Sequence, residues 1–123
     1  MDVVMDPKKL RKQLGDFMTK RISRFFPEGE NQDILERGAV SSFKKQVVDV
    51  VNAEVGLGNS SSIKVQVVGY EVSFSGSWRV VVKINCSLIS QPCQGKGVSG
   101  GFMQACAISY INALLTVLEY MRQ

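Results

Sequence analysis

The sequence predicts an α+β domain: a basic N-terminal helix, then a second helix, an antiparallel three-stranded sheet and a closing helix. Three observations carry this. Apolar residues recur at three- and four-residue spacing near the start, apolar and polar residues alternate between Ile63 and Leu88, and Phe102–Met121 holds Glu119 as its only charge. The chain has 123 residues, 45% of them hydrophobic, which suits one domain with a real core and argues against disorder.

The first helix is expected from Pro7 to Phe26. Asp6 supplies the N-cap, and Pro7 suits the first helical position, where its missing N–H costs nothing. Leu10, Leu14, Phe17, Met18, Ile22 and Phe25 form its apolar stripe, with bases over the rest of the circumference. Gly15 weakens the middle by about 1 kcal/mol relative to alanine. Pro27 ends the helix, and the polar, acidic stretch to Asp33 reads as a linker, so residues 1–33 form a basic helix with its linker and 34–123 the α-β-β-β-α unit.

A second helix is expected over Val40–Val55. Val40, Phe43, Val47, Val48 and Val51 face inward, and Lys44, Lys45, Asp49 and Asn52 outward. GLGNSSS at 56–62 breaks the chain. Ile63, Val65 and Val67 then alternate with polar residues before Val68, Tyr70, Val72 and Phe74 take the opposite phase. That change predicts a bulge at Val67–Gly69 or a break into two strands. A tight turn at Ser75-Gly76-Ser77 leads to a strand with Trp78, Val80, Val82, Ile84, Cys86 and Leu88 on one face and Arg79, Lys83, Asn85 and Ser87 on the other. A short third strand is expected at Gly95–Val98. The last helix, from Ser99 or Gly100 to Met121, is apolar nearly all round and must be covered on more than one side. It is long enough for a membrane span, but its spaced polar groups favour a buried or self-associating helix.

Charge is placed unevenly. Residues 1–26 carry seven bases, Lys8, Lys9, Arg11, Lys12, Lys20, Arg21 and Arg24, against three acids, while residues 27–123 are balanced. The excess predicts a polyanionic partner for the N-terminal helix.

Histidine is absent, which excludes His-dependent triads and the common His-containing zinc motifs. Carboxylates show no pairing suited to acid–base chemistry, and no catalytic residue, metal site or cofactor is expected. Cys86, Cys93 and Cys106 are odd in number and lack CxxC spacing, so they read as small buried residues in a reducing compartment, cytoplasm or nucleus. Cys93 becomes a nucleophile only where a base such as Lys96 lowers its pKa. No signal peptide is expected from the N-terminus, which lacks a basic leader followed by an apolar run. The Gly95-Lys96-Gly97 and Gly100-Gly101 clusters lack phosphate-loop spacing; they are expected to make a turn and let the backbone approach the sheet closely.

The run GKGVSGGFMQACAISYINALL, from Gly95, resembles the closing G-x-G-x-S-K-K-x-A-K-x-x-A-A pattern of the double-stranded RNA-binding domain. Gly95, Gly97, Ser99 and Ala107 match it, and Tyr70 and Trp78 resemble its strand aromatics. The resemblance covers Val40–Leu118 and implies the α-β-β-β-α fold and RNA as partner. The sequence departs from the pattern at Gly100, Gly101 and Gln104, where the family carries basic residues, at Asn112, where the pattern ends on leucine, and at Ser75-Gly76-Ser77, whose loop usually holds a histidine. The family's basic residues and histidine hold phosphates and 2′-hydroxyls, so their loss resembles the dimerising or protein-binding members.

The hairpin-then-helix order behind a basic helix also resembles the ring-forming single-strand annealing proteins, with Arg79 and Lys83 suited to a backbone groove on single-stranded DNA. The G-x-G-V run before an Ala-containing helix is similar to the allosteric domains of isopropylmalate synthases, which implies a regulatory or assembly domain without nucleic acid.

The function expected is non-enzymatic nucleic-acid binding, to RNA first, with self-association. Its candidate contacts are the seven N-terminal bases with Arg79, Lys83 and Lys96. A homodimer or higher homo-oligomer is expected through Ile108, Ile111, Leu115 and Leu118, because one face of the last helix serves the sheet and these remain.

Overall fold

The computed structural model describes residues 6–27, 43–57, 63–87 and 89–121. Val40 and Leu88 lie outside them. The observed order is helix, helix, three strands, helix, as the sequence predicts.

The first helical segment comprises α1 (Pro7–Asp16), a π-helical turn (Phe17–Arg21) and α2 (Ile22–Phe25). Asp6 is the N-cap: its carboxylate accepts from the backbone N–H of Lys8 at 3.1 Å and of Lys9 at 3.4 Å. The π turn changes the apolar stripe. The Ile22 N–H donates to the Phe17 carbonyl, five residues back, so the buried residues run Leu10, Leu14, Phe17, Ile22 and Phe26. Phe26 therefore takes the inner place expected for Phe25, which is exposed and stacks on Phe17 at 5.7 Å.

The second helical segment runs from Phe43 through a π turn (Lys44–Val48) into α3 (Asp49–Val55), and Gly56 closes it in the left-handed region at φ 77°. Phe43, Val47, Val48, Val51 and Val55 are buried. Asn52, expected outward, is also buried, because its side-chain oxygen accepts a 2.6 Å hydrogen bond from the Tyr110 hydroxyl.

Strands β1 (Ile63–Val72), β2 (Trp78–Cys86) and β3 (Cys93–Ser99) form one antiparallel sheet in the order β1-β2-β3. The expected phase change is a bulge: Val67 pairs with Val82 and Gly69 with Val81, leaving Val68 as the extra residue. The strands β1 and β2 are joined by a turn in which the Ser73 N–H donates to the Ser77 carbonyl at 2.8 Å.

The last helix, α4 (Phe102–Met121), lies against β2 and β3 on one side and against α1, α2 and the second helical segment on the other. Three layers result, with α4 in the middle. This explains its composition: Cys106, Tyr110, Ile111, Ala113, Leu114, Val117 and Leu118 are all buried. The seam with β3 is made at backbone distance. A Cβ on Gly95 would overlap the backbone of Ser109 and Ala113, and one on Gly97 the backbone of Ala105 and Ser109. Small residues four apart on α4 thus lie directly on two glycines of the strand. Asn112 adds a 2.7 Å hydrogen bond to the Lys96 carbonyl.

The covering of α4 corrects one expectation. Ile111 and Leu118 are fully buried by the chain's own helices, and Ile108 and Leu115 are partly buried. Apolar surplus on this helix therefore gives no reason for a second subunit.

Candidate nucleic-acid interface

Pleating sends alternate side chains of each strand to opposite faces. One face, carrying Val80, Val82, Ile84 and Cys93, is sealed by α4. On the other, strand register brings polar residues together in rows. Lys64 lies beside Asn85, Lys83 between Gln66 and Gln94, Lys96 beside Val81, and Arg79 between Glu71 and Val98. No described helix or strand packs over this face with the contacts that α4 makes on the other.

Lys83 is diagonal to Lys64 on one side and to Lys96 on the other. Diagonal neighbours on a sheet stand about 7–8 Å apart, inside the roughly 8–10 Å over which salt leaves charges coupled. Among the described residues, none of the three lysines has an ion-pair partner. Arg79 differs: its guanidinium lies 3.6 Å from the Glu71 carboxylate, with both side chains exposed. The face is thus a diagonal row of three uncompensated cations flanked by amides.

The N-terminal bases occupy the other outer layer. Lys8, Lys9, Lys12, Lys20 and Arg24 are exposed. Two of the seven are engaged within the fold: Arg11 reaches Glu119 at 3.1 Å, and Arg21 reaches Glu54 at 3.1 Å while lying 5.4 Å from the Phe17 ring centre. Because α4 and the sheet lie between, these bases and Arg79, Lys83 and Lys96 do not share one surface. The structure divides the sequence-derived set into two. It also adds Lys64, whose place on the strand was legible from alternation but whose neighbours were set by the pairing of β1 with β2.

Of the positions that depart from the RNA-binding pattern, Gln104 has a structural duty. The Gln104 amide donates to the Phe26 carbonyl at 2.9 Å, and its oxygen accepts from the Ser99 hydroxyl at 2.6 Å. Gln104 is 6% exposed and ties the start of α4 to the end of the first helical segment. Gly101 is buried and Gly100 exposed. Phe102 receives the edges of Tyr70 at 5.6 Å and Trp78 at 5.2 Å, so both strand aromatics pack on the start of α4.

Cys86, Cys93 and Cys106 are buried, and no disulfide joins them. Burial, with Cys86 nearby, pushes the Cys93 thiol above its ordinary value. Lys96 projects from the opposite face of β3 and does not activate it. Among the described residues no cluster of His, Cys, Asp and Glu is suited to a metal ion. Neither a protein-family model nor a curated protein matches the chain.

Proposed function

We propose that this protein binds the phosphate backbone of nucleic acid, RNA first, without catalysis and without reading base sequence. The observation that carries this reading is the sheet face away from α4, where Lys64, Lys83 and Lys96 form a diagonal row and, among the described residues, none of them has a carboxylate partner. Clustered cations on a low-dielectric scaffold favour a polyanion, whose binding releases condensed counterions. Among the described residues that face carries no aromatic side chain on which bases would stack, so its contacts are to phosphate and sugar. The exposed bases of the N-terminal helix form a second such surface, turned the other way.

Fluorescence anisotropy with duplex RNA, single-stranded RNA and single-stranded DNA of equal length, over a range of salt, tests this. Binding is expected to weaken steeply with salt and to depend little on base sequence. Preference for duplex RNA supports the double-stranded RNA-binding resemblance, and preference for single strands supports the annealing type. Absence of binding to all three at low salt overturns the proposal in favour of a regulatory or assembly domain.

A further inference from the structure

The two edges of the sheet are unlike. On the β3 edge, Asn112 of α4 occupies the Lys96 carbonyl. The outer edge of β1 pairs with no described strand, although β1 is ten residues long. It is also apolar: Tyr70 and Val72 are each 48% exposed, and Val68 is 51% exposed. A long, open, apolar strand edge is a template for pairing with another strand.

We propose that β1 pairs antiparallel with β1 of a second copy, about a two-fold axis between Val67 and Val68, to give one continuous six-stranded sheet. The sequence of the strand is complementary to itself in that register. Lys64 falls opposite Glu71 of the second copy and Glu71 opposite its Lys64, while Val65 meets Tyr70 and Ile63 meets Val72. Side chains opposite one another must lie on the same face, and here the bulge decides the outcome. Lys64 and Glu71 are an odd number of residues apart, yet both lie on the open face, because Val68 adds a residue between them. Ile63, Val65, Tyr70 and Val72 likewise all lie on the face that carries the core. A register displaced by one residue sets opposite faces against each other. A displacement by two restores the faces but parts Lys64 from Glu71. Charge and burial together select the single register, and two-fold symmetry forms the ion pair twice.

This pairing replaces α4 as the self-association surface and does not rest on nucleic-acid binding. It sets the two lysine-bearing faces side by side.

The test is sedimentation or light scattering of the full chain without nucleic acid. The parent is expected to be a dimer. Lys64→Glu and Glu71→Lys each turn two attractive pairs into two repulsive ones, and each variant alone should raise the dimer dissociation constant by about tenfold or more. An equimolar mixture of the two variants restores both attractions and should form a heterodimer with near-parental affinity. That rescue also shows that each variant is folded. A monomeric parent overturns the proposal. So do variants that dimerise as the parent does, or a mixture no tighter than its components.

Discussion

The two faces of the sheet are built from the same three strands and follow opposite rules. Toward α4 the positions of β2 and β3 are fixed by packing, to the point where Gly95 and Gly97 leave room for nothing beyond a hydrogen atom. Away from α4 most side chains are long and polar, and among the described residues none of the three lysines there has an ion-pair partner. Substitution on the first face is felt as lost stability, and on the second as lost affinity for a partner. A shared backbone lets one sheet carry both.

The largest effect is expected from Gly97→Val. Its side chain would run into the backbone of Ala105 and Ser109 on α4, so relief requires the helix to lift from the strand. The loss should be about 3 kcal/mol or more, at the upper end of overpacking effects, read from the midpoint of urea unfolding. A loss below about 1 kcal/mol would show that the inner face yields as easily as the outer.

Lys64 and Lys96 are exposed and Lys83 is partly buried, so their joint replacement by alanine should cost no more than about 1 kcal/mol per site. The slope of log affinity against log salt should fall in magnitude by about 2–3, at roughly 0.7–0.9 per lost phosphate contact. An unchanged slope would place the polyanion on the N-terminal helix instead.

Beyond α4, Tyr110→Phe leaves the buried Asn52 oxygen without its 2.6 Å donor and should cost about 1–3 kcal/mol. Burial, aided by the negative charge of Asp49, raises the Tyr110 phenol above its ordinary value of 10, although the Asn52 hydrogen bond acts the other way. A raised folded value means that the unfolded chain loses its proton first. The phenol's contribution is therefore complete below pH 10 and is lost as pH rises from there toward the folded value. The Cys93 thiol acts with the same sign from its ordinary value of 9. Urea midpoints measured from neutral to strongly alkaline pH should fall for the parent, and fall less for Tyr110→Phe.

The smallest effect belongs to Lys8 and Lys9. Both stand in the first turn of α1, where a positive charge opposes the helix dipole, and the Asp6 cap offsets part of that cost. Their replacement by alanine should raise stability by a few tenths of a kcal/mol while weakening polyanion binding. Thermal unfolding beside the anisotropy titration separates the two. A loss of stability would mean that these lysines serve the fold.

Much of the molecule was legible in the sequence because local rules govern it. The N-cap at Asp6 with Pro7 following, the bulge at Val67–Gly69 and the alternation along β2 each depend on a few neighbouring residues, whereas Gly95 and Gly97, expected in a turn, lie in β3 against α4. The π turns were not legible: periodicity assumes an unbroken helix, and only packing against α4 decided that Phe26 should point inward rather than Phe25. Asn52 looked like a surface residue until Tyr110, 58 positions away, supplied its partner.

The sequence by itself determined the element order, the apolar face of each strand and the concentration of bases in the first 26 residues. It could not show which helix covers which, and so left the apolar α4 open to a second subunit when the chain covers it itself. It also counted residues 27–123 as electrically neutral. Tertiary structure sorted those charges in space. Among the described residues, strand pairing sent Lys64, Lys83, Arg79 and Lys96 to the face away from α4 with Glu71 as the one acid there, while Asp49, Glu54 and Glu119 stayed with the helices. Register between distant segments fixes which side chains become neighbours, and that is a property of the fold, not of any stretch of chain.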